Sequence, residues 1–287
     1  MRTLLKFTNA RGESVSFNKA GSFFNANQIE GLGDVDANIQ TQKGPYQDGS
    51  TFTDAILDER FISFEVVVNG DSDTDISNKR SQLAGILNPK LGEGVLEVTY
   101  GTVTRVINAV AEGVPKYPSG NDNRGLRFQK GLVSLKCPNP YWKSTTVTEE
   151  PAFEPKFRFP IRGPFIMGIQ RDQRIIPNDG HSPAPIQVEF FGPALNPVII
   201  NNTTGEFIKV NQELLEGERM MIDTSDGNKS VYFVDALGVE RNVFNWIDLN
   251  STFFKLVVGN NEIEYTADSD IQGAIVNISY SKLYNAI

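Results

Sequence analysis

Histidine and cysteine occur once each in this 287-residue chain, as His181 and Cys137. One cysteine excludes an internal disulfide and any cysteine-based zinc site. One histidine excludes a two-histidine metal site, and any nucleophile–base dyad would have to use His181. That residue stands in Asn178-Asp179-Gly180-His181-Ser182-Pro183, a turn-rich run, and no G-x-S-x-G elbow occurs. An exposed loop histidine is the simpler reading. Cys137 reads as a small buried apolar residue at a strand end. The P-loop pattern and the dinucleotide fingerprint are also missing, since Gly31-Leu32-Gly33 has no third glycine and no following helix. Nor is there an excess of positive charge: 27 Lys and Arg face 35 Asp and Glu, net −8. A sequence-independent nucleic-acid binder needs clustered cations to displace counterions, and anionic membranes are disfavoured on the same ground. No run approaches the ~20 apolar residues of a spanning helix, and Met1–Asn9 has no apolar core of signal-peptide length. The expectation is a protein made in a cytoplasm, without membrane insertion.

What is abundant is glycine, proline and phenylalanine, at 25, 15 and 19 residues, a composition that suggests a β-rich chain with many turns. Eleven of the prolines fall between Pro138 and Pro197. Each removes a backbone donor and fixes φ, so this stretch reads as a linker, loops and edge strands. It divides an expected first domain, residues 1–144, from a second, residues 145–287. The division also separates charge. Residues 1–137 carry 15 basic and 16 acidic side chains, and residues 138–287 carry 12 and 19.

In the first half, Leu4–Thr8 and Ser14–Asn18 flank Asn9-Ala10-Arg11-Gly12 as a hairpin. Val35–Gln40 alternates weakly, Arg60–Asn69 reads as a buried strand, and Val95–Tyr100 and Val103–Ala111 flank a two-residue turn. Leu126–Lys136 is a further strand in which Gly131 suggests a bulge. One helix is expected over Ile76–Leu87, capped by Asp75 and stopped by Asn88-Pro89. The second half offers Ile186–Phe191, Pro197–Asn201, Glu206–Val210, Arg219–Asp223, Ser230–Val234, Phe253–Val258, Glu262–Thr266 and Ala274–Tyr280. Eight short strands at this spacing suggest an antiparallel sandwich. The fold class is therefore mainly β, with two β-sandwich domains, the first carrying one helix and a hairpin.

Candidate chemistry is sparse. Asp71-Ser72-Asp73-Thr74-Asp75 looks like a calcium loop, but Ile76 replaces the needed Gly and Gln82 the needed Glu, so a turn ending in a helix cap is preferred. Asp34/Asp36, Asp223/Asp226 and Asp268/Asp270 are close acidic pairs in turns, where aspartate is favoured for local backbone bonding. Tyr141-Trp142 sits at the domain boundary. Trp246 stands with Phe244, Phe253 and Phe254, which fits core packing better than a sugar groove. No catalytic residue, cofactor or metal site is expected. Assembly or binding is favoured over enzymatic activity.

The segment Gly33–Arg60 is more specific. It holds Gln40-Thr41-Gln42-Lys43, then Pro45-Tyr46-Gln47-Asp48-Gly49, and ends at Arg60. The helix ending Leu87-Asn88-Pro89 and the run Asn139-Pro140-Tyr141-Trp142-Lys143-Ser144 follow. In the second half stand Pro197–Gly205, Met221-Ile222-Asp223-Thr224 and Phe254–Ile263. Taken together these features resemble the phage distal tail protein family of long, non-contractile-tailed phages. The resemblance implies a galectin-like second domain and a homo-hexameric ring at the distal end of the tail. It also implies tail tube protein and a tail-associated hub or lysin protein as partners, with receptor-binding proteins attached and DNA passing through the lumen unbound. The expected location is the virion. The long polar loop Gln42–Phe52 is the expected contact with a neighbouring subunit or partner, through Gln42, Lys43, Tyr46, Gln47 and Phe52. The alternative function is host-saccharide binding by the second domain, with Trp246 as the stacking residue.

Overall fold

Period-two alternation builds the first part of the molecule. In strand β1 (Thr3–Thr8), Leu5 and Phe7 are buried while Leu4 and Lys6 face outward. β2 (Ser14–Phe17) repeats the pattern with Val15 and Phe17. Asn9 joins them, its Oδ1 accepting the N–H groups of Arg11 and Glu13 at 3.0 and 3.1 Å. The computed structural model describes residues 3–18, 22–149, 153–154, 169–170, 173–268 and 275–287. It divides into two units, Met1–Thr145 with Tyr284–Ile287, and Thr146–Leu283. The last four residues thus lie with the first unit rather than with the second half, because Tyr284 and Ile287 pack against the first core.

The first unit continues through β3 (Phe23–Glu30), β4 (Ala37–Gln42), β5 (Thr51–Leu57) and β6 (Arg60–Asn69). Helix α1 (Asp73–Ile86) follows, then β7 (Gly94–Tyr100), β8 (Val103–Ala111), β9 (Phe128–Cys137) and β10 (Trp142–Lys143). Seven strands form one path in the order β2-β1-β7-β8-β9-β6-β3. The sheet folds over on itself: Phe17 on β2 meets Phe64 on β6 edge to face at 4.9 Å, although the two strands are five places apart in that order. Asn18 N–H also reaches Phe23 O at 3.1 Å, joining the sheet's two ends. One core results, shared by Leu5, Phe17, Val66, Leu96, Ile107 and Leu135.

Two local expectations change. The helix cap is Ser72, whose hydroxyl accepts the Asp75 N–H at 3.2 Å. Asp75 instead accepts from Asp71 N–H and Lys79 Nζ, and the lysine bond holds its carboxyl below the usual range. A serine at the cap reaches the third amide of the first turn, which an aspartate already inside that turn does not. Gly131 sits in unbroken register opposite Val66 rather than in a bulge. A Cβ there would come within 2.8 Å of the Tyr117 ring, so close approach, not strand irregularity, demands the glycine.

The second unit has two facing sheets. One runs Val147–Glu149, Val276–Tyr280, Ile186–Phe191, Arg219–Asp223, Ser230–Val234 and Glu240–Asn242. The other runs Gln173–Asn178, Gly259–Thr266, Val198–Asn201 and Glu206–Lys209. Phe190 and Tyr265, one from each, meet edge to face at 6.2 Å in a shared core. Gln173–Asn178 is an edge strand and therefore tolerates Pro177. Phe253–Val258 does not form a strand. It buries Phe254 and Leu256 in the core, and Leu256 pairs with Ala184 in an isolated bridge. Residues 155–168 of the Pro-rich connection, Asp270 and Ala274 lie outside the described residues.

Two glycines separate conformational need from spatial need. Gly12 and Gly31 both have positive φ, +82° and +85°. At Gly12 a Cβ would point into open space, whereas at Gly31 it would lie 1.8 Å from Phe61 O. Gly12→Ala should cost about 1–2 kcal/mol for its backbone alone. Gly31→Ala should cost more than about 4 kcal/mol, since backbone must move as well. Chemical denaturation of both variants checks this, and equal losses would contradict it.

Candidate interface: an exposed hairpin on a buried root

The turn from β3 to β4 and the turn from β5 to β6 meet at one buried cation. Arg60, the first residue of β6, is only 1% exposed. Its Nη1 donates to Gly31 O at 2.8 Å and Asp34 O at 2.7 Å, and its Nε donates to Pro140 O at 2.9 Å. Nη2 donates to Asn285 O. Trp142 lies beneath the guanidinium, 5.8 Å from ring centre to Cζ, and its Nε1 donates to Leu32 O at 3.1 Å. Burial lowers the Arg60 pKa, and the nearby Cys137 and Asp34 offset part of that effect. Arginine suits this position because its planar fork reaches several carbonyls at once. Asp58 N–H closes the root by donating to Asp36 O at 2.9 Å. Cys137 beside it is fully buried, and burial pushes its thiol up to about 12. It is an inert core residue, as its place at a strand end suggests.

From this root β4 and β5 run outward and, among the described strands, pair only with each other. Every residue of β4 is exposed, and so is every residue of β5 except half-buried Leu57. Ala37 faces Leu57, Ile39 faces Ala55 and Thr41 faces Phe52, with a register shift between Gln40 and Thr41. This register places Ala37, Ile39, Thr41, Phe52, Ala55 and Leu57 on one, mostly apolar face, while Asn38, Gln40, Gln42, Thr51, Asp54 and Ile56 lie on the other. The apolar face is open to solvent, with Ile39 62% and Phe52 63% exposed. At the tip, Gln47 Oε1 accepts the Gly44 N–H at 2.9 Å and its Nε2 donates to Thr51 Oγ1 at 3.1 Å. Tyr46 takes a left-handed φ of +60° and its ring stands free of the chain.

Gln42, Lys43, Tyr46, Gln47 and Phe52 therefore come together at the distal end of the hairpin. Four are exposed, and Gln47 is half-buried because it braces the tip. Composition alone marks Gln42–Phe52 as a loop and misses β5, Ile39 and Ile56. A signal is nonetheless present in Thr51-Phe52-Thr53-Asp54-Ala55-Ile56-Leu57, which is rich in β-branched and aromatic residues. A two-stranded hairpin is marginal in water by itself, and an exposed apolar face marks a contact surface.

The remaining candidates fall on structural roles. Asp34 Oδ1 accepts Gly31 N–H at 3.1 Å. Asp223 accepts from Ser225 N–H and Gln187; burial pushes its pKa up, and these bonds outweigh that and hold it low. Asp226 pairs with Lys255, and Asp268 bonds Asn196 at 2.7 Å. His181 is exposed and its backbone N–H bonds Leu283 O. Trp246 is half-buried against the second core and carries Arg241 over its ring at 5.3 Å. Among the described residues no group of acidic, histidine or cysteine side chains is placed to hold a metal ion.

A family model described as phage tail protein RIFT-related domain matches residues 10–137. A second, described as siphovirus-type tail component, C-terminal domain, matches residues 179–284. Among solved structures, the SPP1 Dit (gp 19.1) protein aligns with a TM-score of 0.69 at 13% identity, over 97% of this chain and 98% of its own. It is described as a paradigm of the hub adsorption apparatus in phages that infect Gram-positive bacteria. A chain of the phage P2 baseplate in its activated conformation with Ca aligns with a TM-score of 0.61 at 10% identity, over the whole of both chains. The same baseplate with Sr gives 0.59. A comparison with curated protein sequences finds no match. Fold and family models together define a structural component of a siphovirus-type tail. The chain belongs to the phage distal tail protein family.

Arg60→Met should lower stability by about 3–5 kcal/mol, because it strands buried carbonyls that the guanidinium now satisfies. Arg60→Lys should recover only part of that loss, having one donor atom instead of three. Urea titration measures both, and a loss below about 1 kcal/mol in Arg60→Met would contradict the role given to the root.

Proposed function

We propose that this distal tail protein is a non-enzymatic connector that closes into a homo-hexameric ring at the end of the tail. The ring joins the tail tube to the tip hub and to the proteins that adsorb to the host. Its first unit makes the ring, and its second unit is galectin-like. The observation that carries this reading is the β4–β5 hairpin: exposed, mostly apolar on one face and uncovered by the other described residues of its chain. A neighbouring subunit is the natural cover, since a closed ring buries the same patch on every copy. Charge agrees. The first 137 residues carry 15 basic and 16 acidic side chains, so a lumen built from them would not retain DNA.

One observation favours a second reading, saccharide capture by the second unit. Tyr232 lies in an open groove of about 320 Å³ across the six-stranded sheet, lined also by Gln187, Asp223, Ser230 and Glu240. A tyrosine ring among hydrogen-bonding side chains is a sugar-binding combination. Trp246 is not part of that groove, and Arg241 already lies over its ring.

The two readings separate by experiment. Ile39→Asp with Phe52→Asp should leave the melting temperature within a few degrees of the parent while abolishing self-association in sedimentation velocity. A double variant that still forms the parent's assembly would overturn the connector role of the hairpin. On a glycan array the parent chain should show no binding above a Tyr232→Ala control; binding lost in that control would instead establish the saccharide reading.

A further inference from the structure

Arg60 does more than close the hairpin root. The same guanidinium that holds Gly31 O and Asp34 O also holds Asn285 O, from the segment Tyr284–Ile287. That segment is seated at two further points. The guanidinium of Arg105 on β8 lies 3.8 Å from the centre of the Tyr284 ring. The Arg105 Nε is buried without a hydrogen-bond partner, so stacking on that ring is a principal compensation for its charge. Tyr284 and Ile287 also pack against the first core.

We propose that Tyr284–Ile287 is a latch for the β4–β5 arm. A guanidinium is planar, and its donors point in directions fixed relative to one another. The rotamer that satisfies Asn285 O is therefore the one that satisfies Gly31 O and Asp34 O. Seating the segment selects that rotamer and sets where the arm leaves the body. Releasing it strands a buried, charge-bearing donor, and a buried unpaired donor of this kind is costly enough to shift the local equilibrium. Local opening then falls on the root rather than on the sheet, whose ladders do not involve Arg60's side chain. The latch holds the arm whether or not the arm meets another subunit.

Hydrogen exchange measured by mass spectrometry tests it in two variants of the full chain, one lacking residues 284–287 and one carrying Tyr284→Ala. Exchange at 32–36 and 58–59 should quicken about tenfold in the deletion and less in Tyr284→Ala, while β1, β7 and β8 keep the parent's protection. Unchanged exchange at the root in both variants would overturn the proposal. So would quickening spread evenly over β1, β7, β8 and the root, which would make the segment ordinary packing. Should the deletion fail to fold, Tyr284→Ala alone decides between these outcomes.

Discussion

A buried guanidinium that bonds backbone carbonyls, and among the described residues no carboxylate, is the constraint on which the first unit depends. Arg60 spends its donors on backbone carbonyls from the β3–β4 turn, the segment after β9 and residue 285. Charge in a low-dielectric interior is tolerated only when its hydrogen bonds are complete. Each of those chain segments is therefore held in place by a shared need. Gly31 fits the same logic, since its lack of a Cβ lets the turn lie against Phe61 O. Trp142 seals the root from below and bonds Leu32 O. The outcome is a rigid base for a hairpin that has no other support among the described residues.

That combination of rigid root and uncovered arm is what a connector requires. Binding surfaces gain affinity when they are held in place before contact, because less freedom is lost on association. An apolar β-ribbon with unpaired edges is also a hazard for uncontrolled aggregation. The proposed closed assembly would resolve the conflict by giving the ribbon one partner and no free edge. The scarcity of histidine and cysteine fits the same account. The aspartates singled out in the sequence brace turns or pair with lysines, and Cys137 is buried with its thiol pushed up to about 12.

Much of the fold is legible in the residue pattern, and the failures have identifiable causes. Strands with one buried face, such as Leu4–Thr8 and Ile186–Phe191, announce themselves by alternation. β4 and β5 do not, because neither face is buried within the chain and so no burial pattern is imposed on them. Phe253–Val258 misleads for the opposite reason. Its buried Phe254 and Leu256 have strand spacing, but the backbone of Leu256 makes an isolated bridge with Ala184 rather than a ladder. The proposed interface residues are visible in the sequence only as a loop of suggestive composition. Ile39 and Phe52 face the same way only once the register shift after Gln40 is known, and no local signal reports it. The return of Tyr284–Ile287 to the first unit depends on Arg60 and Arg105, far away in sequence, and no local pattern encodes it.

The central claim is that the hairpin tip touches another copy of the chain. Amine cross-linking of a mixture of ¹⁴N- and ¹⁵N-labelled protein tests it most directly, because Lys43 stands at that tip. A ring built through the hairpin predicts mixed-isotope links from Lys43 in assemblies of six chains. Lys43 links confined to single-isotope pairs, in a protein that stays monomeric at high concentration, would contradict it.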